Sequence, residues 1–420
     1  MTDVLIIGAG AAGCIAAIKA AEAGASVVLL EKNAKIGRKI MITGKGRCNI
    51  TNLKNWTDFS AHLHNKSAFF KSAFYNFSNA ATVDFFESLG VETVLTRDER
   101  VFPKSMQAAT VVDALALRLD RLGVKTMFNC DVNGVSCQKD GSFITTFVNS
   151  SGGKIAYSRE VSRAVIVATG GLSYPATGST GAGYDIAKSL GHTIQPTFPA
   201  LTALVPDHYD TRLIGQELVN VTATLTVGQD IVACEFGDIQ FTDGGIEGPV
   251  GFKLSRRAVW ALINGDKVGV SIDFKPAVQL GQLQERVSRE AMEAGVSRRN
   301  FDRRGRDFLR KFLPQALIEP FVDSVRDLTL DNLAARLKDW RFNITGYVGY
   351  RRAVVTAGGV SLDEIISKTM SSRNLPGLYF AGEVLDMDGD TGGYNLQFAF
   401  STGALAGKSA AEYALATSKS

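Results

Sequence analysis

The chain has 420 residues, 45% of them hydrophobic and 21% charged, with a formal net charge of +4. That composition suits a globular protein of two or three folding units, and a charge so near balance does not by itself announce a nucleic-acid partner. Five scattered cysteines with no CxxC pair, and only four histidines, argue against a zinc knuckle, a disulfide framework or a histidine-rich metal site.

The N-terminus starts apolar, but Asp3 precedes the run, glycines interrupt it and no basic leader is present. Neither a signal peptide nor a membrane span is expected, which places the protein in the cytoplasm. VLII (4–7) reads as a buried parallel strand, GAGAAGCIAAIKAAEAG as a glycine turn running into a helix, and SVVLLEK as a second buried strand. Gly8, Gly10 and Gly13 form a GxGxxG, with Ala11 and Ala12 inside it and Glu31 following the last glycine by 18 positions. This is the context a dinucleotide site requires. The first glycine allows the tight turn, the second admits a pyrophosphate against the backbone, and the third lets helix and strand pack closely. The helix N-terminus offers N–H groups to phosphate, and Glu31 is placed to accept from a ribose hydroxyl.

A basic loop follows, with Lys32, Lys35, Arg38, Lys39, Lys45 and Arg47 before Asn52, and Cys48 within TGKGRCNITN. His62 and His64 read as a polar surface stretch. Residues 67–90 and 110–123 have helical spacing, RVFPKS (100–105) reads as a loop turned by Pro103, and 124–168 as short strands ending in AVIVATGG. From about residue 190 threonine and valine alternate, as in a β-rich unit. Residues 278–340 are charged and helical, 344–360 strand-like, and the tail is strand, glycine loop, then helix.

The tail selects the cofactor. GLYFAGEVLD delivers Gly382 and Glu383 from a strand end, as flavoproteins with two nucleotide-binding motifs do, and GGYNLQFAFSTG starts a helix whose N-terminus can face a flavin pyrimidine. FAD is therefore expected rather than NAD. No second GxGxxG unit is evident, so NAD(P)H is expected only as a transient electron donor.

With these segments in view the chain resembles a bacterial family of FAD-binding oxidoreductases, often labelled aminoacetone oxidase-like. The resemblance rests on GAGAAG, GRKIMITGKGRCNITN, RVFPKS, ATGGLSYPATGSTGAGY, FTDGGIEGP, VTAGGV and the tail from Gly377 to Gly403. FTDGGIEGP departs from the family pattern, which has a histidine near Asp243 and a serine near Glu247. Members of the family are linked to amine oxidation, to reduction of unsaturated bile-acid intermediates and to dihydrouridine formation in ribosomal RNA.

The resemblance implies an α/β architecture. A Rossmann-like FAD domain takes residues 1–190 and 350–420, a β-rich inserted domain 191–277 and 341–349, and a helical subdomain 278–340. It implies Arg38, Lys39, Gly46, Arg47, Cys48 and Asn49 as flavin neighbours. The remaining expected cofactor residues are Lys32, Gly44, Val132, Thr169, Gly170, Asp386, Gly392, Gly393, Tyr394 and Asn395.

Reduction of an activated double bond needs a proton at the neighbouring carbon, and a thiol beside the flavin could supply it. Cys48 is the candidate catalytic residue on that ground, with passive lining of the flavin pocket or a redox disulfide as alternatives; neighbouring Arg47 favours its thiolate. The basic stretch 297–311, with Phe301 and Phe308 interleaved, suits either an RNA-facing helix or a helix burying its phenylalanines. The expected function is reduction of an activated C=C bond by an FAD-dependent oxidoreductase, with uridine in ribosomal RNA as substrate. The alternatives are an oxidase of small amines, a reductase of a steroid-like enone, and a flavin-binding redox sensor without turnover.

Overall fold

The computed structural model describes residues 1–96, 98–150, 155–296 and 303–418, without the side chains of 303 and 304. The chain forms two compact units, Met1–Phe198 with Val355–Ser420, and Pro199–Val354.

The first unit is built on parallel strands β1 (Thr2–Ile7), β2 (Val27–Leu30), β3 (Lys125–Met127), β4 (Ala156–Val167) and β5 (Leu378–Phe380), in the order β5-β4-β1-β2-β3. Val4, Leu5, Ile6, Leu29, Val165 and Ile166 are buried, as a sheet covered on both faces demands. Strand β4 serves two pairings. Its last residues run parallel between β1 and β5, while its first half continues antiparallel to Phe143–Asn149, which in turn pairs with Cys130–Cys137. Part of the SSGG turn lies outside the described residues.

Helix α1 (Ala11–Glu22) crosses from β1 to β2, and the terminal helix α2 (Tyr394–Thr417) packs across it. Their contact is made of small residues. A Cβ on Gly403 would lie 2.3 Å from the carbonyl oxygen of Ala12, and one on Gly407 would lie 2.2 Å from that of Ala16. The helices therefore meet backbone to backbone, and that contact fixes where α2 begins.

Some sequence expectations are corrected. Residues 67–90 are two helices, Ser67–Asn76 and Asn79–Ser88, because Ser78 caps the second by accepting from the Ala81 N–H. RVFPKS is not a loop: Arg100–Pro103 is the central strand between Thr51–Asn52 and Thr93–Leu95. Pro103 is its last residue, and the N–H of the next residue, Lys104, makes the bond to the neighbouring chain segment at the Glu92 carbonyl (2.8 Å).

The second unit contains a closed barrel of Leu204–Pro206, Gly245–Glu247, Asp230–Thr242, Glu217–Val227, Val268–Asp273 and Trp340–Tyr347. Helix Gly248–Ile263, with proline in its first turn, lies within the unit that the sequence suggests is β-rich. Helices Leu280–Ala294, Arg303–Leu309, Gln315–Ser324 and Leu330–Lys338 occupy the segment before the last barrel strand. No described helix is long and apolar enough to cross a membrane.

The helix crossing makes a direct prediction. Gly407→Ala should lower stability by about 1–3 kcal/mol in urea unfolding, because its Cβ has nowhere to go. Gly281→Ala, in a helix with no atom within 4 Å of the new Cβ, should be neutral or stabilising.

Candidate functional site

In a parallel sheet of this kind, ligands sit beyond the carboxyl ends of the strands. Four neighbouring strands here deliver the expected residues at those ends. The turn Gly8–Gly13 follows β1, Glu31 follows β2, Thr169 and Gly170 follow β4, and Gly382 and Glu383 follow β5. Gly8 has φ +99°, a Cβ on Gly13 would stand 1.8 Å from the Gly8 carbonyl oxygen, and Gly10 faces open space. Helix α1 begins at Ala11 with no side-chain cap and no acidic residue in its first turn. Its first N–H groups are thus available to an anion.

Glu31 is buried, and its carboxylate ties the turn to the end of β2. Oε2 accepts from the Ala9 N–H (2.8 Å), and Oε1 accepts from the Asn33 N–H (2.9 Å) and the Asn33 side-chain amide (2.6 Å). A carboxylate oxygen with one donor keeps room for a second, so Oε2 could still take a ribose hydroxyl. Arg38 donates to Asn33 Oδ1 (2.6 Å), and Lys32 donates to Thr180 Oγ1 (3.2 Å) and stands 3.6 Å from Asp131. Val132 is buried on the adjoining strand, whose first residue, Cys130, donates its N–H to the Glu31 carbonyl (2.9 Å).

Lys39 and Glu383 meet each other. Lys39 Nζ donates to Glu383 Oε2 (2.7 Å) and to Ser173 Oγ (2.8 Å). Glu383 Oε1 accepts from Ser173 Oγ (2.6 Å) and from the Thr356 N–H (2.9 Å). Thr356 Oγ1 in turn accepts from the N–H groups of Leu172 (2.8 Å) and Ser173 (3.0 Å). Burial works against the Glu383 charge, but Lys39, Ser173 and the Thr356 amide outweigh it and hold the carboxyl below its ordinary range. One half-buried node joins four stretches of chain. Lys39 Nζ thus spends two of its three N–H donors within the protein.

The loop around Cys48 is strained. Gly44, Lys45, Gly46 and Cys48 have φ of +57°, +58°, +84° and +58°. For the lysine and the cysteine such a conformation costs on the order of 1 kcal/mol each. The Cys48 N–H donates to the Thr43 carbonyl (3.0 Å), which closes the turn. Cys48 has 0% exposure, and burial pushes its thiol up to about 12, with a hydrogen bond to Thr43 only partly opposing. Arg47 does not make the thiolate expected from sequence. Its guanidinium lies 5.4 Å from the centre of the Phe102 ring, and Nε donates to the Gly44 carbonyl (3.1 Å). Buried Asn49 Oδ1 has no hydrogen-bond partner among the described residues, and Met41 and Ile42 expose apolar side chains at 41% and 42%.

This loop abuts the start of α2. A Cβ on Gly393 (φ +98°) would lie 2.5 Å from the carbonyl carbon of Thr51, and Thr51 Oγ1 donates to Gln397 Oε1 (2.6 Å). Asn395 closes the preceding turn by accepting from the Gly389 N–H (2.8 Å) and donating to the carbonyls of Gly389 (2.8 Å) and Asp390 (3.1 Å). Asp386 accepts from the Asn65 amide (2.6 Å), and Gly392 (φ +126°) lies in the turn itself.

Sequence reasoning missed His62 and His64. They are not a mere polar surface: both rings reach Asp390, and the His62 ring stacks on Tyr394 at 4.5 Å. Their spacing was the available signal, since residues two apart in an extended segment point the same way. The partner, 328 positions away from His62, gave none.

In the stretch 297–311, residues 297–302, including Phe301, lie outside the described residues. Phe308 and Phe312 are buried, so they pack the protein instead of stacking on bases. Arg306 pairs with Glu319 (2.6 Å), Arg310 with Asp307 (3.3 Å) and Lys311 with Glu290.

Breaking the Lys39–Glu383 node tests its weight. Lys39→Met and Glu383→Gln should each cost about 3 kcal/mol in urea unfolding, and the double variant less than the sum. Because the Glu383 carboxyl is held low in the folded state, its contribution is present above the unfolded carboxylate range, near pH 4.3. It fades as pH falls through the folded value. The gap between wild type and Glu383→Gln should therefore close on acidification.

Comparison with known proteins agrees with this arrangement. Residues 2–409 match the family described as HI0933-like protein Rossmann domain. The chain is 34% identical to the 3-dehydro-bile acid delta(4,6)-reductase of Clostridium scindens, over 98% of this chain and 100% of that protein. It is 32% identical to the ribosomal RNA dihydrouridine synthase of Haemophilus influenzae, over 96% of each. Among solved structures, the 3-ketosteroid-delta4-(5alpha)-dehydrogenase of Rhodococcus jostii RHA1 aligns with a TM-score of 0.51 at 15% identity, over 98% of this chain and 96% of that one. An open flavocytochrome c3 fumarate reductase aligns with a TM-score of 0.51 at 18% identity, over 99% of this chain and 78% of that one. At such identities the structural likeness is one of fold. The chain belongs to the HI0933-like Rossmann-domain family and is an FAD-dependent oxidoreductase.

Proposed function

We infer that the protein reduces a carbon–carbon double bond conjugated to a carbonyl, with NADH or NADPH as electron donor and uridine in ribosomal RNA as substrate. The observation that carries this is the full-length similarity to two reductive enzymes, a bile-acid delta(4,6)-reductase and a ribosomal RNA dihydrouridine synthase. Both names describe saturation of a double bond conjugated to a carbonyl, on otherwise unrelated molecules. A steroid-like enone is the second reading. It is favoured by the 34% identity to the bile-acid delta(4,6)-reductase over 98% of this chain.

The residues suit FAD. Gly10 leaves room for a pyrophosphate, Asn49 Oδ1 is a buried acceptor wanting a donor, and Met41 and Ile42 offer apolar cover for a flat ring. When bound, FAD supplies the two-electron chemistry. The turn Gly8–Gly13 and the start of α1 bind the pyrophosphate, with Ala11 and Ala12 donating backbone N–H groups. Glu31 orients the ribose, and Lys32, Arg38, Val132, Thr169 and Gly170 border the nucleotide. Gly44, Gly46, Arg47 and Asn49 would border the flavin, and Gly382, Asp386, Gly392, Gly393, Tyr394 and Asn395 would present it with the positive end of α2. Lys39 and Glu383 hold these two groups together through Ser173. Cys48 packs beneath the loop as a neutral thiol.

The cysteine role is open to direct measurement. A general acid contributes about 10²–10⁴ in rate, so Cys48→Ser should keep turnover within about threefold if the thiol only packs. A loss beyond a hundredfold would identify it as the proton donor.

The function itself is tested by anaerobic mixing with NADH and with NADPH. Flavin bleaching should be followed by reoxidation on adding ribosomal RNA stripped of dihydrouridine, with dihydrouridine then found by mass spectrometry. Reoxidation by a steroid enone and not by RNA would establish the second reading. Stoichiometric hydrogen peroxide from an amine, with neither of these, would overturn both.

A further inference from the structure

The segment His62–His64 and the turn Gly389–Gly393 are laced together. Asp390 donates its N–H to the His62 carbonyl (2.9 Å), and the His64 N–H donates to the Asp388 carbonyl (2.8 Å). Leu63 and Gly389 form a bridge between the two backbones. The side chains repeat the pattern. His62 Nδ1 lies 2.9 Å from Asp390 Oδ2 and His64 Nε2 lies 3.1 Å from Oδ1, so each ring serves one oxygen of a carboxylate that is 15% exposed. These are hydrogen-bond distances.

The position of this carboxylate is unusual. It stands four residues before Tyr394, the first residue of α2, and the turn between them contains Gly392 and Gly393, both at positive φ. Side chains of these glycines cannot hold the turn, so it is fixed from outside. Asn395 grips it from the helix, and the two histidines grip it from the far side. His62 also lies flat against Tyr394 (4.5 Å), which is wedged edge-on by Phe59 (4.8 Å). Arg100, Glu99 and Asp98 also act on Tyr394, and two more carboxylates share the segment, buried Asp388 and Asp386, the latter accepting from the Asn65 amide. A bare carboxylate at this end of a helix would cancel part of the positive field that the helix start presents.

We propose that His62 and His64 are positioning residues that hold the glycine turn before α2 and mask the Asp390 charge, so that the helix start can stabilise the reduced flavin. This rests on the reading that the start of α2 faces the flavin. The two imidazoles donate to the carboxylate and draw its charge toward themselves. Without them the turn loses two of its ties, and the carboxylate stands unshielded near the start of α2.

Masking and simple bracing predict different signs, which makes the proposal testable on the holoenzyme. The reduction potential of bound FAD would be measured by anaerobic dye equilibration for wild type, for His62→Ala with His64→Ala, and for Asp390→Asn. FAD affinity of each refolded apoprotein would be followed by fluorescence. The double histidine variant should disfavour the reduced form at least tenfold, a drop of about 30 mV for a two-electron couple. Asp390→Asn, which removes the charge, should move the potential upward. His62→Asn and His64→Gln, which can still donate to the carboxylate, should recover at least half of the loss. Shifts of the same sign in the double histidine variant and Asp390→Asn, or no shift beyond twofold, would overturn the proposal. Failure of the wild type to bind FAD would instead defeat the reading of the site.

Discussion

The ion pair of Lys39 and Glu383 is the contact on which the arrangement of the site depends. Its two members come from opposite ends of the chain, 344 residues apart, and Ser173 and Thr356 complete the set from two further segments. A half-buried pair of this kind adds little net stability over an apolar substitute, but it is costly to break. Its value is positional. It forces the Cys48 loop, the segment after β4, the strand Val355–Val360 and the segment after β5 into one register.

Around that node the backbone does most of the work. Parallel strands end together, so residues that follow them converge without any side chain having to search for its partner. Close packing then removes slack. Gly13 against Gly8, Gly393 against Thr51, and Gly403 and Gly407 against α1 are all contacts where a methyl group would not fit. The strained Cys48 turn belongs to the same logic, because its left-handed residues are tolerated only where the surroundings hold them. A reaction that needs a flat cofactor held between a loop and a helix end benefits from that rigidity.

Much of this was legible in the chain. The glycine turn, the acidic residue after β2 and the glycine-rich tail are local patterns, each with a physical reason for its spacing, and they lead to the Rossmann fold. Other features are not local. Nothing near Lys39 in the sequence announces Glu383, which follows it by 344 positions. Arg47 sits beside Cys48 in sequence but lies over Phe102, so adjacency misled about the thiol. Pro103 suggested a turn because proline usually breaks strands, and here it ends a strand, with the Lys104 N–H donating beyond it. His62 and His64 appeared unremarkable because their meaning lies in Asp390, far along the chain.

The division of labour between Lys39 and the backbone is the central point, and a crystal structure of the FAD-bound protein tests it most directly. The expected result keeps Lys39 Nζ on Glu383 and Ser173, with the pyrophosphate held by backbone N–H groups of the first glycine turn and Asn49 Oδ1 within hydrogen-bond distance of the flavin. Lys39 swung onto the pyrophosphate, leaving Glu383 to bind the cofactor directly, would contradict it.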